Sequence, residues 1–192
     1  MISIARLLLF FVITMGYNAF FRNTVKMNRS LTWVFTFSVI TLVLYLGSLL
    51  GFMLQTVYAI SVLGCLLSLY YLWAVWKKKY RFRRLDYIAL GMMAYLLLFG
   101  ITLWHSPLLH YDNFTHWATI VKFFHINNAL PTQQDTIISY YTYPVGSSLF
   151  IYFFTTIVGF SEGSMLVGQF FLIASSLYAM FAALRDDRRV LM

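Results

Sequence analysis

Charged side chains are scarce in this sequence. Asp, Glu, Lys and Arg make up only 10% of its 192 residues, whereas soluble domains carry about 25%. Six residues are acidic, and 61% are hydrophobic. So few polar groups cannot cover the surface of a water-soluble globule. The composition excludes a soluble domain and predicts an all-α integral membrane protein, with the lipid bilayer as its surroundings.

Cysteine and proline are also rare. Cys65 is the only cysteine, which excludes an intramolecular disulfide. It lies in an apolar run without a second thiol or a histidine nearby, so the sequence offers no metal site there. The three prolines all fall within residues 105–146. Irregular structure is therefore expected mainly in that segment.

Long apolar runs account for most of the remaining chain. A transmembrane helix needs about 20 apolar residues, and the sequence predicts five crossings. These are residues 7–21, 31–52, 54–76, 87–104 and 164–184. Residues 148–160 are apolar but number only 13, a length typical of a re-entrant or interfacial segment. Residues 1–85 thus form an N-terminal part with three crossings, and residues 86–192 form a second part.

The basic residues indicate the orientation of these crossings. Twelve of the fourteen Lys and Arg lie in residues 22–30, residues 77–85 or the tail after residue 184. With five crossings, all twelve lie on one side and the other two on the opposite side, whereas six crossings would split the fourteen nine to five. Because basic loops stay in the cytoplasm, we expect an outside N-terminus and a cytoplasmic C-terminus. The same rule explains the net charge of +8 without a nucleic-acid partner.

The start of the chain has a second interpretation. The first apolar run follows Arg6 and resembles the core of a signal peptide. Tyr17, Asn18 and Phe20 do not form the small-residue pattern at which such peptides are cleaved. The sequence therefore favours an uncleaved helix.

Polar residues collect in the predicted outer loop, residues 105–147. All four histidines and two of the six acidic residues, Asp112 and Asp135, lie in it. Residues 113–127 have helical spacing, with apolar side chains expected on one stripe at Phe114, Trp117, Val121 and Phe124. We expect an amphipathic juxtamembrane helix lying in the membrane interface, aromatic side down.

Asp112 stands at the start of that helix, four residues before His116. Two roles remain open for it, an N-terminal cap and a catalytic group. Further along, Pro144 and Gly146 interrupt the backbone before the short apolar segment. This break either returns the loop to a site at the interface or is a plain turn into a helix.

Together these features resemble the GT-C class of membrane glycosyltransferases. The resemblance rests on residues 111–118 (YDNFTHWA), on Lys122 and on residues 143–147 (YPVGS), and it extends over roughly residues 86–189. It implies transfer of a sugar from a polyprenyl-phosphate donor to an acceptor at the outer membrane face. Asp112 would be the catalytic carboxylate of the loop, which takes the acceptor's proton, orients the acceptor or holds a divalent cation.

The same resemblance implies substrate-binding roles for four residues, namely His116, Lys122, Tyr143 and Gly146. Lys122 would pair with the phosphate. The chain departs from the class in two ways. Asn113 stands where many members have a second acid, and members usually have eight or more crossings. The second departure predicts an N-terminal fragment, whose partner would be the missing C-terminal part or another membrane subunit.

Three alternatives compete with this hypothesis. A permease or transporter subunit would fit the many crossings, although they lack the buried charges that mark ion or substrate paths. A non-catalytic membrane assembly protein could use the aromatic outer loop for docking. A metal site could use three ligands on adjacent turns, His110, Asp112 and His116.

Overall fold

Eight helices make up the regular structure of the described part of the chain. The computed structural model describes residues 4–77, 79, 87–135, 137, 138 and 142–190, with the backbone alone at Thr115 and at residues 182–190. No strand occurs within these residues. The helices are α1 Ile4–Asn23, α2 Arg29–Leu49, α3 Met53–Trp76, α4 Tyr87–Trp104, α5 Tyr111–Thr115, α6 Trp117–Asn127, α7 Gly146–Val158 and α8 Glu162–Val190.

Five of the helices are long and apolar enough to cross a membrane. They are α1, α2, α3, α4 and the first part of α8, Glu162–Phe181. The prediction of an all-α membrane protein with five crossings is therefore confirmed. Most of the basic loop at residues 77–85 lies outside the described residues, as do the side chains of the arginines in the tail.

The first three helices pack closely because small residues face each other. Gly16 of α1 lies against Gly64 and Ser68 of α3, and a Cβ atom at Gly16 would overlap the Gly64 carbonyl oxygen. Small residues four apart allow helix backbones to approach in a membrane. Tyr17 adds a hydrogen bond from its hydroxyl to the Ile60 carbonyl oxygen at 2.8 Å. These contacts fix α1 against α3.

The short apolar helix α7 forms the core of the bundle. Every side chain from Ser148 to Thr155 is buried. Phe10 of α1 contacts the rings of Phe150 and Phe154, with centroids 6.5 and 4.8 Å apart. The helix also contacts α2, α6 and α8. A helix that is apolar all round is stabilised when protein covers every face, and protein rather than open interface surrounds this one.

The N-terminus of α8 lies beside the C-terminus of α4. Gly163 approaches Trp104 so closely that a Cβ atom would overlap the Trp104 carbonyl oxygen. Tyr95 and Phe170 continue this contact along the two helices, with ring centroids 5.2 Å apart. The chain between α4 and α8, residues 105–161, therefore begins and ends at the same end of the bundle. Because the helices alternate in direction, the connection 24–28 lies at the opposite end.

Candidate substrate pocket at one end of the bundle

The predicted juxtamembrane helix is interrupted at His116. Its backbone angles there, φ −137° and ψ −103°, separate α5 from α6. The expected single apolar stripe is therefore wrong. Phe114 on α5 is 59% exposed, whereas Val121 and Phe124 on α6 are fully buried. The break separates α5 from the stretch of chain that docks against α7.

Polar bonds as well as apolar contacts hold α6 on α7. The Tyr152 hydroxyl donates to Asn128 Oδ1 at 2.7 Å, and the Ser148 hydroxyl donates to the Trp117 carbonyl oxygen at 3.3 Å. His125 Nε2 lies 2.8 Å from Thr155 Oγ1. The Thr155 hydroxyl already donates to the Ile151 carbonyl oxygen, so it accepts from His125. Burial lowers the pKa of His125 to about 4, which favours the neutral imidazole.

An open pocket lies among residues 110–117, Tyr143 and α8. Its volume is about 590 Å³, within the usual range of ligand sites, roughly 300–1,000 Å³. Its lining combines aromatic rings, imidazoles, amides and one carboxylate. The lining residues are His110, Tyr111, Asp112, Asn113, His116, Trp117, Tyr143 and Gln169.

Asp112 lines the pocket with a largely exposed carboxylate. The cap of α5 is His110, whose Nδ1 accepts a hydrogen bond from the Asp112 backbone N–H at 3.3 Å. Of the two roles left open for Asp112, the N-terminal cap is therefore excluded. Asp112 lies in the first turn, where the helix dipole favours an acid. The same Nδ1 lies 3.4 Å from Asp112 Oδ2, so a protonated His110 would donate to the carboxylate instead.

Three of the five site residues predicted from the sequence come together in the pocket. His116 and Tyr143 accompany Asp112, and their rings meet edge to face with centroids 4.8 Å apart. The other two lie elsewhere. Lys122 is exposed on α6 and does not line the pocket. Gly146 begins α7 with Thr41 as its nearest contact.

The other acids near the pocket have structural partners. Glu162 Oε2 accepts a hydrogen bond from the Leu108 backbone N–H at 2.8 Å. Asp135 Oδ2 accepts two hydrogen bonds from Thr132, one from its N–H and one from its hydroxyl. Neither carboxylate lines the pocket. Within the described residues, no group of three His, Cys, Asp or Glu side chains is placed to hold a metal ion. The proposed triad with His110 is therefore not assembled as a metal centre.

Gln169 is the lining residue that the sequence did not single out. It lies on α8, about two turns after Glu162, and faces the pocket from a transmembrane helix. The available signal was a carboxamide in an apolar span, where polar side chains usually line a cavity or contact another helix. Sequence spacing alone gave no link between Gln169 and the loop residues more than 50 positions earlier.

The fold and the five apolar helices define a multi-pass membrane protein. No protein-family model, curated protein or solved structure shows significant similarity to the chain.

Proposed function

We propose that the protein is a membrane glycosyltransferase that transfers a sugar from a polyprenyl-phosphate donor to an acceptor at the outer membrane face. One observation supports this most directly. The Asp112 carboxylate lines an open pocket that also contains aromatic and amide side chains. Polar groups of this kind orient a ligand within an otherwise apolar cleft.

The lining suits a sugar ring. Tyr111, Trp117 and Tyr143 offer aromatic faces to the C–H groups of a pyranose, and the polar side chains offer partners for its hydroxyls. All but one of its lining residues lie between Trp104 and Glu162, where the chain leaves and re-enters the apolar helices, and Gln169 lies on the spanning part of α8. A donor with its lipid tail in the bilayer and its sugar at headgroup level would reach such a pocket.

The chemistry assigned to Asp112 is proton acceptance. The acceptor oxygen attacks the anomeric carbon, the bond from that carbon to the phosphate oxygen breaks, and the phosphate leaves with the electron pair. Asp112 takes the proton from the attacking hydroxyl. Because the leaving phosphate gains negative charge, a cation must lie near it. Lys122 is exposed and has no hydrogen bond or ion pair within the described part of the chain, so it is available to approach the phosphate.

A divalent cation is the alternative partner for the phosphate. His110 and Asp112 supply two donor atoms at the pocket. Magnesium typically takes one or two protein ligands and completes its shell with substrate phosphate and water. These two residues, whose side chains are largely exposed, would hold the ion, and it would offset the charge of a phosphate outside the pocket.

The proposal includes an orientation in the membrane. The pocket lies at the end opposite the connection 24–28, which is flanked by Arg22 and Arg29 and contains Lys26. Basic connections stay in the cytoplasm. The pocket would then face outward, with the N-terminus outside and the C-terminus in the cytoplasm.

The test is sugar transfer in membranes that contain the full chain. Vesicles receive a radiolabelled polyprenyl-phosphate hexose, and loss of label from the lipid fraction into glycan is measured. Asp112→Asn keeps the size of the side chain but removes the base, so transfer should fall by about 100-fold or more. Asp135→Asn is the matched control, because Asp135 contacts Thr132 and not the pocket.

Equal transfer by Asp112→Asn, at equal protein level, would contradict the proposal. Solute uptake into the same vesicles provides a second measurement. Uptake that depends on the protein and survives Asp112→Asn, without any transfer of label, would favour a permease instead.

A further inference from the structure

Two carboxamides line the pocket without a partner for their side chains. Asn113 is only 7% exposed, and Gln169 is half-buried on a transmembrane helix. Neither side-chain amide makes a hydrogen bond to any residue that the structure describes. The pocket is open, so water can reach both amides, and a ligand that enters would replace that water. Both groups lie where a bound ligand could satisfy them.

Carboxamides select for a particular ligand chemistry. Each supplies two N–H donors and a carbonyl oxygen acceptor and carries no charge. A hydroxyl donates one hydrogen bond and accepts two. Vicinal hydroxyls can therefore accept from the N–H groups of an amide and donate to its carbonyl oxygen. A phosphate or carboxylate only accepts, and it would leave the amide oxygens unsatisfied.

The rest of the lining disfavours an anion. Among the described residues, no lysine or arginine lines the pocket, and Asp112 contributes a carboxylate. A second negative charge close to Asp112 would be repelled. Lys122 on α6 does not line the pocket either. Charge and hydrogen-bonding capacity therefore point to the same class of ligand.

We infer that Asn113 and Gln169 form a binding site for an uncharged, hydroxyl-rich group, and that they determine the specificity of the pocket. This rests on the proposed function and refines it. The group that enters the pocket is a neutral sugar, and the charged phosphate stays outside the pocket. Asn113, which stands where a second acid was expected, therefore binds hydroxyls rather than a proton or a metal ion.

The experiment measures binding separately from transfer. The full chain is placed in nanodiscs at about pH 8, where an ordinary imidazole is neutral. Neutral methyl hexosides and the matching 6-phosphates serve as probes in saturation-transfer difference NMR. We expect at least one methyl hexoside to bind, and its 6-phosphate to bind about tenfold more weakly or not at all.

Single substitutions then test the two amides. Gln169→Leu and Asn113→Leu keep approximate size but remove hydrogen bonding, so each should weaken hexoside binding by about tenfold, as expected for one lost hydrogen bond in a pocket. Gln55→Leu is the matched control. It is the same change on a transmembrane helix, but Gln55 lines a separate apolar groove. Its binding should equal that of the unmodified protein.

Three results would overturn the inference. They are equal or tighter binding of the 6-phosphate, unchanged binding by both leucine variants, and no binding of any neutral hexoside. The charge comparison uses the unmodified protein, so it does not depend on how the variants fold. Hexoside binding without transfer of label would count against the transferase alone. Transfer without the expected binding preference would count against the inference alone.

Discussion

The carboxylate of Glu162 accepts a hydrogen bond from the backbone N–H of Leu108 at 2.8 Å, across 54 residues of the chain. It joins the first turn of α8 to the segment that leads into α5. Leu108 is buried, with Ala118 and Ile151 in its apolar cluster. This bond places the start of the polar segment beside the pocket.

Removing this anchor should loosen the segment before α5. Glu162→Ala leaves the Leu108 N–H without its partner, and hydrogen bonds to charged groups are among the stronger ones. We expect amide exchange in residues 105–116 to become about tenfold faster, measured by hydrogen–deuterium exchange in detergent. In Asp135→Ala, the change should stay within the Thr132 turn. Unchanged exchange in Glu162→Ala would show that the bond does not position the segment.

The stability of the protein should fall in mild acid because of His125. Its pKa is about 4 in the folded protein against an ordinary value of 6.5. Above pH 6.5 the His125 imidazole is neutral in both the folded and the unfolded protein, so it contributes no pH dependence to stability. As the pH falls from 6.5 to about 4, His125 binds a proton in the unfolded chain but not in the folded protein, so the free energy of unfolding decreases.

Thermal melting in detergent across this pH range provides the measurement. His125→Gln keeps a donor for Thr155 but does not titrate, so its melting temperature should depend less on pH. His105→Gln, at an exposed histidine, should behave like the unmodified protein. The same pH dependence in His125→Gln would rule out His125 as the cause.

The contact between α1 and α3 should not tolerate a larger residue at Gly16. A side chain there would overlap the Gly64 carbonyl oxygen, and backbone cannot move aside cheaply. Gly16→Leu should lower the free energy of unfolding by about 1–3 kcal/mol, measured by denaturation in mixed SDS micelles. Gly100→Leu is the control, since a Cβ atom at Gly100 has nothing within 4 Å. Similar stability of the two variants would contradict the packing described.

The orientation of the bundle can be tested by cysteine labelling in intact cells. Cys65→Ser removes the single native thiol. In this background, two variants each carry one new cysteine, Lys26→Cys in one and Gln134→Cys in the other. Because basic connections stay inside, an impermeant maleimide should label Gln134→Cys directly and Lys26→Cys only after permeabilisation. The reverse pattern would place the pocket on the cytoplasmic side and contradict the proposed transfer at the outer membrane face.

The membrane-spanning helices could be predicted from the sequence to within a few residues. The predicted crossing 31–52 corresponds to Arg29–Leu49, and the crossing 87–104 agrees at both ends. Their apolar length is a property of each segment alone, so no neighbour is needed to recognise it. The candidate site was only partly predictable. Asp112 stood out as an acid without a basic neighbour, whereas Gln169 was an ordinary glutamine within a long apolar run.

The break at His116 shows why the rest could not be predicted. Residues 113–127 have consistent helical spacing, so a local pattern indicates one helix. The structure instead turns Phe114 outward and buries Val121 and Phe124 against α7. That arrangement depends on Tyr152 and Thr155, which bond to Asn128 and His125 from another helix.

The order of the apolar residues determined that this chain enters a membrane and where it crosses. The transfer free energy of an apolar run adds up residue by residue, without reference to other parts of the chain. Tertiary structure decided which surfaces are covered. It enclosed α7 within the bundle and brought Gln169 to the same pocket as Asn113 and Asp112. The reason is physical. A side chain's neighbours depend on how helices distant in sequence pack, and helical periodicity does not encode that choice.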